Sequence, residues 1–293
     1  MRVSRYMTSP VITARLNDNL AYIRNLMLKH GVGRIVIVDE GFKPISIITK
    51  SDLVRIMMSK EWRDRPLESV YVGDVKGPME LKLATPRMSI KRAANIMVRN
   101  LISGLPVVTP ITGGLVGIIT KTDMLRAFVD GYRGMYLVRD LMTKHPIVVR
   151  RTHSVFRIQE LLAKYNISRV IVVDDDRPVG VVTETDVVFT THTPTRDRFV
   201  KQRVRQYKDR EVTVRIYMVP VAEDIMTPNP VVVGADEDAT KAAELMMRHG
   251  SGGLPVVDGE RLVGIITKTD IVMGIAGVKG LTQCRSPSPE EGV

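Results

Sequence analysis

Four phrases of almost the same wording constrain this chain more than any other feature. "PISIITKSDLV" begins at Pro44, "LVGIITKTDML" at Leu115, "PVGVVTETDVV" at Pro178 and "LVGIITKTDIV" at Leu262. Their aspartates are Asp52, Asp123, Asp186 and Asp270. Upstream stand Met7, Met79, Met142 and Met226 in similar settings, at separations of 45, 44, 44 and 44 residues. A period held to within one residue marks a repeated structural unit. A unit of roughly 50–60 residues is marginal alone, so units that complete one another's cores are expected.

Each copy reads as β-α-β-β-α. A short strand follows the methionine, as in "PVVVG" at 230–234. A helix with an apolar face comes next: Leu20, Ile23, Met27; then Ile90, Ala94, Met97; then Val155, Ile158, Leu162; then Ala239, Ala242, Ala243, Met246. Asp236 is the expected N-cap of the last of these. Gly31, Asn100, Asn166 and Gly250 are placed to end the helices in a left-handed conformation. His30 and His249 each precede a helix-ending glycine, which suits a positive end cap. The runs "RIVIVD", "LPVVT", "RVIVVD" and "LPVVD" then read as strands covered on both faces. A second strand leads to a final helix, expected to start at the aspartate.

The polar cluster at that helix start has two readings. A threonine or aspartate before an apolar helix is an N-cap, worth about 1 kcal/mol. A cap needs one side chain, yet Thr recurs three residues before Asp in all four copies. A helix N-terminus also suits phosphate, with a threonine hydroxyl as a further donor. An aspartate there can accept from two ribose hydroxyls.

These motifs resemble the CBS domain, a ligand-sensing module named after cystathionine β-synthase. "SGGLPVVDGERLVGIITKTD" (251–270) and "SGLPVVTPITGGLVGIITKTD" (103–123) carry the likeness best. The resemblance implies an α/β fold of four β-α-β-β-α repeats paired into two Bateman modules, roughly 1–130 and 136–280. The expected repeats are 1–60, 70–132, 136–194 and 219–281, with a basic linker at 195–218 and a flexible tail at 282–293. It also implies adenosine-containing ligands in clefts between paired units: AMP, ADP, ATP or S-adenosylmethionine. The phosphate and ribose positions carry over to Thr49/Asp52, Thr120/Asp123, Thr183/Asp186 and Thr267/Asp270. The base-reading backbone carries over to Arg34–Ile35, Leu105–Pro106, Arg169–Val170 and Leu254–Pro255. Lys50, Lys121 and Lys268 follow the threonine in three copies and would favour phosphate, so the sites of Lys121 and Lys268 are expected to prefer phosphorylated adenosines. Glu184 in the third copy would oppose phosphate, so that site is expected either to stay empty or to suit a neutral or cationic adenosyl ligand such as S-adenosylmethionine. Ser46 replaces the family's glycine in the first copy, and Arg34 there reaches a phosphate or blocks the cleft.

Composition narrows the classes. The formal net charge is +11, which favours anionic partners. Aromatic content of 5% is thin for stacking single-stranded bases. One cysteine, Cys284, makes no internal disulfide. No apolar run approaches the roughly 18 residues of a membrane helix, and "MRVSRYMTSP" lacks a signal-peptide core, so a cytoplasmic location without membrane contact is expected. The five histidines show no zinc spacing, and no Ser-His-Asp, P-loop or dinucleotide glycine signature is present, so no catalytic role, metal or cofactor is expected. "TRDRFVKQRVRQYKDREVTVR" (195–215) holds eight basic residues and places Phe199, Val200, Val204 and Tyr207 at helical spacing. It reads as an amphipathic helix, either a solvated connector or a patch for nucleic acid or an acidic partner. The expected role is a non-enzymatic, homodimeric sensor that signals by module rearrangement. The alternatives are a nucleic-acid-associated regulator, or a regulatory subunit of a separate enzyme or transporter.

Overall fold

The computed structural model describes residues 1–59, 61–62, 65–187, 199–203, 213–217 and 219–278; at 57, 58, 199–203 and 213–217 it describes the backbone alone. The four repeats share one plan. In the first, strand Thr13–Ala14 leads to helix Leu20–His30, hairpin strands Arg34–Val38 and Pro44–Thr49, and helix Lys50–Met58. The others follow with long helices Ile90–Arg99, Val155–Lys164 and Ala239–Arg248. Their hairpins are Gly104–Val108 with Leu115–Thr120, Arg169–Asp174 with Arg177–Thr183, and Gly253–Asp258 with Arg261–Thr267. Motif helices Lys121–Gly131 and Lys268–Ala276 close the second and fourth repeats. In every repeat the short first strand or bridge pairs parallel with the first hairpin strand.

The alternating pattern of the strands divides their side chains between two cores. Ile35 and Ile37 pack with Leu20, Ile23 and Met27 beneath the first repeat's own helix. Val36 and Val38 face the other way and pack with Leu115 and Ile118 of the second repeat. An uninterrupted apolar run is therefore required, because neither face of the strand meets water.

Helix ends are set by local hydrogen bonding. Asn19, Ser89 and Ser154 cap the long helices through their side chains. In the fourth repeat the cap is Asp238 rather than the expected Asp236; its Oδ1 accepts from Thr240 N at 2.8 Å and Thr240 Oγ1 at 2.6 Å. Gly31, Asn166 and Gly250 adopt positive φ as expected, but Asn100 does not (φ −101°) and Leu101 takes the left-handed place at φ 53°. The motif helices begin one residue after the threonine, not at the aspartate.

Repeats pair by exchanging their leading segments. Asn19, capping the first repeat's helix, bridges to Tyr71 at the start of the second, and Ser89 bridges back to Arg2. Ser154 bridges to Val221 in the same way, and Asp238 to Leu137. Two Bateman-type pairs, first with second and third with fourth, follow from these contacts.

The compact units nevertheless cut across the fourth repeat. Among the described residues, one comprises 1–141, 238–252 and 267–278; the other comprises those of 142–237 and 253–266. In the first unit, helix Lys268–Ala276 packs on helices Ile90–Arg99 and Lys121–Gly131, and helix Ala239–Arg248 packs on Lys121–Gly131. Residues Asp270–Ala276 are buried without a break. In the second unit, two four-stranded sheets are built from the hairpins of the third and fourth repeats.

The basic segment departs from the expected helix. Phe199–Arg203 and Thr213–Tyr217 are antiparallel strands, in register from Phe199↔Tyr217 to Arg203↔Thr213. The β-branched and aromatic alternation of "TVRIY" overrides the helical spacing upstream. Val204 and Tyr207 lie outside the described residues, as do the tail and Cys284.

Candidate ligand-binding sites

The Thr-x-x-Asp spacing has a structural cause. In the first, second and fourth copies it forms a reciprocal capping box: the threonine caps the helix and the aspartate, three residues on, accepts from the threonine's backbone N–H. The Oδ2 of Asp52, Asp123, Asp186 and Asp270 accepts from the backbone N–H and from the hydroxyl of its threonine at 2.7–2.8 Å in every copy. Both side chains are thus needed for the helix start, and their spacing alone does not argue for a ligand. What distinguishes the copies is the rest of each carboxylate.

Asp52 is already paired. Burial pushes its pKa up, but Lys76 and Thr49 outweigh burial and hold it below the ordinary range, with Lys76 Nζ at 2.8 Å from Oδ2. Asp123 is 4% exposed, and its Oδ1 accepts from Thr8 Oγ1 of the first repeat at 3.2 Å and from Arg126. Asp270 is 2% exposed, and its Oδ1 has no hydrogen-bond partner. Burial drives the Asp270 carboxyl up to about 6, against the opposing pull of the Thr267 hydrogen bonds and of Lys121.

The strand register corrects one equivalence. Arg34 pairs with Thr49, Gly104 with Thr120, and Arg169 with Thr183. Arg34 therefore corresponds to Gly104, while Ile35 corresponds to Leu105, one residue off the sequence alignment. The Arg34 guanidinium lies against Gly104, where no Cβ would fit. Burial lowers its pKa and the charge of Asp123 partly restores it. Arg34 thus faces the second repeat's site rather than its own. Leu105 and Pro106 are buried beside that site in the strand opposite Ile119 and Ile118. Val170 pairs with Val182, and Leu254 and Pro255 are buried in Gly253–Asp258.

The repeating methionine and glycine also find their meaning in pairing. A Cβ on Gly117 would lie 2.7 Å from Met7 Sδ, and one on Gly264 would lie 2.6 Å from Met142 Sδ. Met226 occupies the same place over Gly180. The glycine makes room for the partner repeat's methionine. In the first repeat Ser46 fills that space, its buried hydroxyl has no partner, and Met79 is 49% exposed. Sequence reasoning missed Thr8, Lys76 and Arg126. The "MT" pairs at Met7-Thr8, Met142-Thr143 and Met226-Thr227 were the available signal for the first; the cations gave none. Among the described residues no cluster of three His, Cys, Asp or Glu could hold a metal, and no helix is long and apolar enough to cross a membrane.

Four hairpin-and-helix units, paired by exchanged segments and each carrying a hydrogen-bonded Thr-x-x-Asp pair after its hairpin, define a tandem α/β repeat protein. The chain belongs to the CBS domain family, whose model matches residues 3–59, 72–130, 138–190 and 221–277. It is 28% identical over 281 residues to the uncharacterized protein MJ1404 of Methanocaldococcus jannaschii, covering 94% of this chain and 62% of that one, so it spans less than two thirds of that relative. It is 26% identical over 251 residues to MJ1225 of the same organism, covering 82% of this chain and 86% of that one. The crystal structure of MJ1225 matches with a TM-score of 0.72 at 21% identity, over 94% of this chain and 100% of that chain. A conserved protein from Pyrococcus horikoshii matches with a TM-score of 0.64 at 21% identity, over 94% and 100%.

Proposed function

We propose that this protein is a non-catalytic sensor of adenosine-containing ligands such as AMP, ADP, ATP or S-adenosylmethionine, acting through the arrangement of its repeats. The observation that carries this is Asp270. Its Oδ1 is buried without a donor, and burial raises its pKa. An orphaned buried acceptor costs about 1–3 kcal/mol, which a ribose hydroxyl would recover. The adjoining helix N-terminus and the lysines suit the phosphate. In the second repeat Asp123 takes the ribose, Thr120 and Arg34 take the phosphate, and the backbone of Leu105–Pro106 reads the base.

The sites differ in readiness. Asp270 keeps a buried oxygen that no donor occupies, Asp123 must release Thr8 or Arg126, and Asp52 must release Lys76, so repeat 1 fills last. Ligand shifts the arrangement of repeats only by the difference in its affinity for two arrangements. A thermal-shift screen with AMP, ATP, S-adenosylmethionine and methylthioadenosine tests this. Ligand at 100 times its dissociation constant adds about 2.7 kcal/mol, and Asp270→Asn weakens binding by about tenfold. Flat responses to all four ligands sink the proposal.

A further inference from the structure

Two of the three motif lysines, Lys121 and Lys268, reach across to the neighbouring motif helix. Lys121 Nζ donates to Thr269 Oγ1 at 2.8 Å, and Lys268 Nζ donates to Thr122 Oγ1 at 3.0 Å. Helices Lys121–Gly131 and Lys268–Ala276 therefore meet at their N-terminal turns, each lysine crossing to the second residue of the other helix. An ammonium at a helix N-terminus opposes the positive end of the macrodipole. Two such placements, made reciprocally, gather two ammonium groups at one junction of helix N-termini, which favours an anion there.

The surroundings strengthen the case. Arg126 engages Asp123 and Arg34 is held close enough to feel its charge, so cations outnumber carboxylates around the second repeat's helix start. Asp270, across the junction, keeps a buried oxygen with no donor. Lys121 is near enough to Asp270 to pull its pKa down against the dominant effect of burial.

We infer that the lysines are exchanged between sites: Lys121 serves the phosphate of a nucleotide held by Asp270, and Lys268 serves one held by Asp123. This rests on the nucleotide-sensing proposal and adds the residue that sets phosphate preference at each site. It also couples the sites, because each lysine leaves its resting threonine to reach the ligand next door.

Calorimetric titration with AMP and with adenosine tests the exchange in a chain carrying Asp52→Asn, Asp123→Asn and Asp186→Asn, which leaves the Asp270 site. Lys121→Met lowers the preference for AMP over adenosine about tenfold, and Lys268→Met changes it little. The reverse pattern, or equal losses from both, overturns the exchange. A second measurement needs no ligand and only single variants: the carboxyl titration of Asp270 followed by carbon-detected NMR. Lys121→Met moves that titration to higher pH and Lys268→Met does not. An Asp270 titration unmoved by Lys121→Met refutes the crossed placement, whether or not any adenosine binds. Failure of AMP to bind the wild type, with the Asp270 shift intact, instead counts against the nucleotide proposal and leaves the placement standing.

Discussion

Asp270 imposes a pH dependence whose sign follows from its burial. Its carboxyl titrates near 6 in the folded chain against an ordinary value of 3.8. The folded state therefore holds the proton more tightly between those values, and stability from this group falls as pH rises through that window. Chemical denaturation of wild type and Asp270→Asn should show the gap between them shift against the wild type by about 2 kcal/mol from pH 4.5 to 7.5. The proposed ligand binding through the ionised carboxylate should weaken below about pH 6 in the wild type. Ser46 gives an independent test: its hydroxyl is buried without a partner, so Ser46→Ala should stabilise the chain by about 1 kcal/mol in urea unfolding. Sequence expected each motif helix to start at its aspartate; Asp52, Asp123 and Asp270 stand instead in the first turn, three residues after the capping threonine. It could not show that Lys76 pairs with Asp52 while Asp270 keeps a bare oxygen, because those neighbours arrive from distant parts of the chain.

The motif helix and the methionine–glycine contact are the elements that make one repeat fit another. Thr120→Val removes one half of a capping box and should cost about 1 kcal/mol, read as a lowered denaturation midpoint. Gly117→Ala drives a methyl into Met7 Sδ and should cost roughly 1–3 kcal/mol. Met7→Ala opens the space, so the double variant should be less damaged than the sum of the singles; strict additivity would show that the two residues do not share that contact. The constancy of Met and Gly was plain in the sequence. Their reason was not, since the partner of each glycine lies in the other repeat of its pair. The basic segment shows the opposite failure: four apolar residues at helical spacing outweighed a β-branched run that forms the strand Thr213–Tyr217.

Within the whole molecule, the helices of the fourth repeat join those of the second in one compact unit of a single chain. Gly274 sits where a Cβ would approach Leu141 Cδ1 to 3.1 Å and Leu141 Cδ2 to 3.2 Å. Gly274→Leu should therefore cost roughly 1–3 kcal/mol of global stability, measured by urea unfolding. Tyr132 and Asn95 tie the same helix by hydrogen bonds to Ile275 and Ala276 carbonyls. The period of four, the β-α-β-β-α order and the capped helix starts were all readable from residue order, because caps, turns and apolar alternation act over a few neighbouring residues. Which repeat's methionine covers which glycine, which cation meets which carboxylate, and that Lys121 and Lys268 cross to one another's helices depended on tertiary packing, in the case of the lysines between segments more than a hundred residues apart. Local chemistry repeats with the sequence; the contacts that make the four copies unequal exist only after the copies have folded against one another.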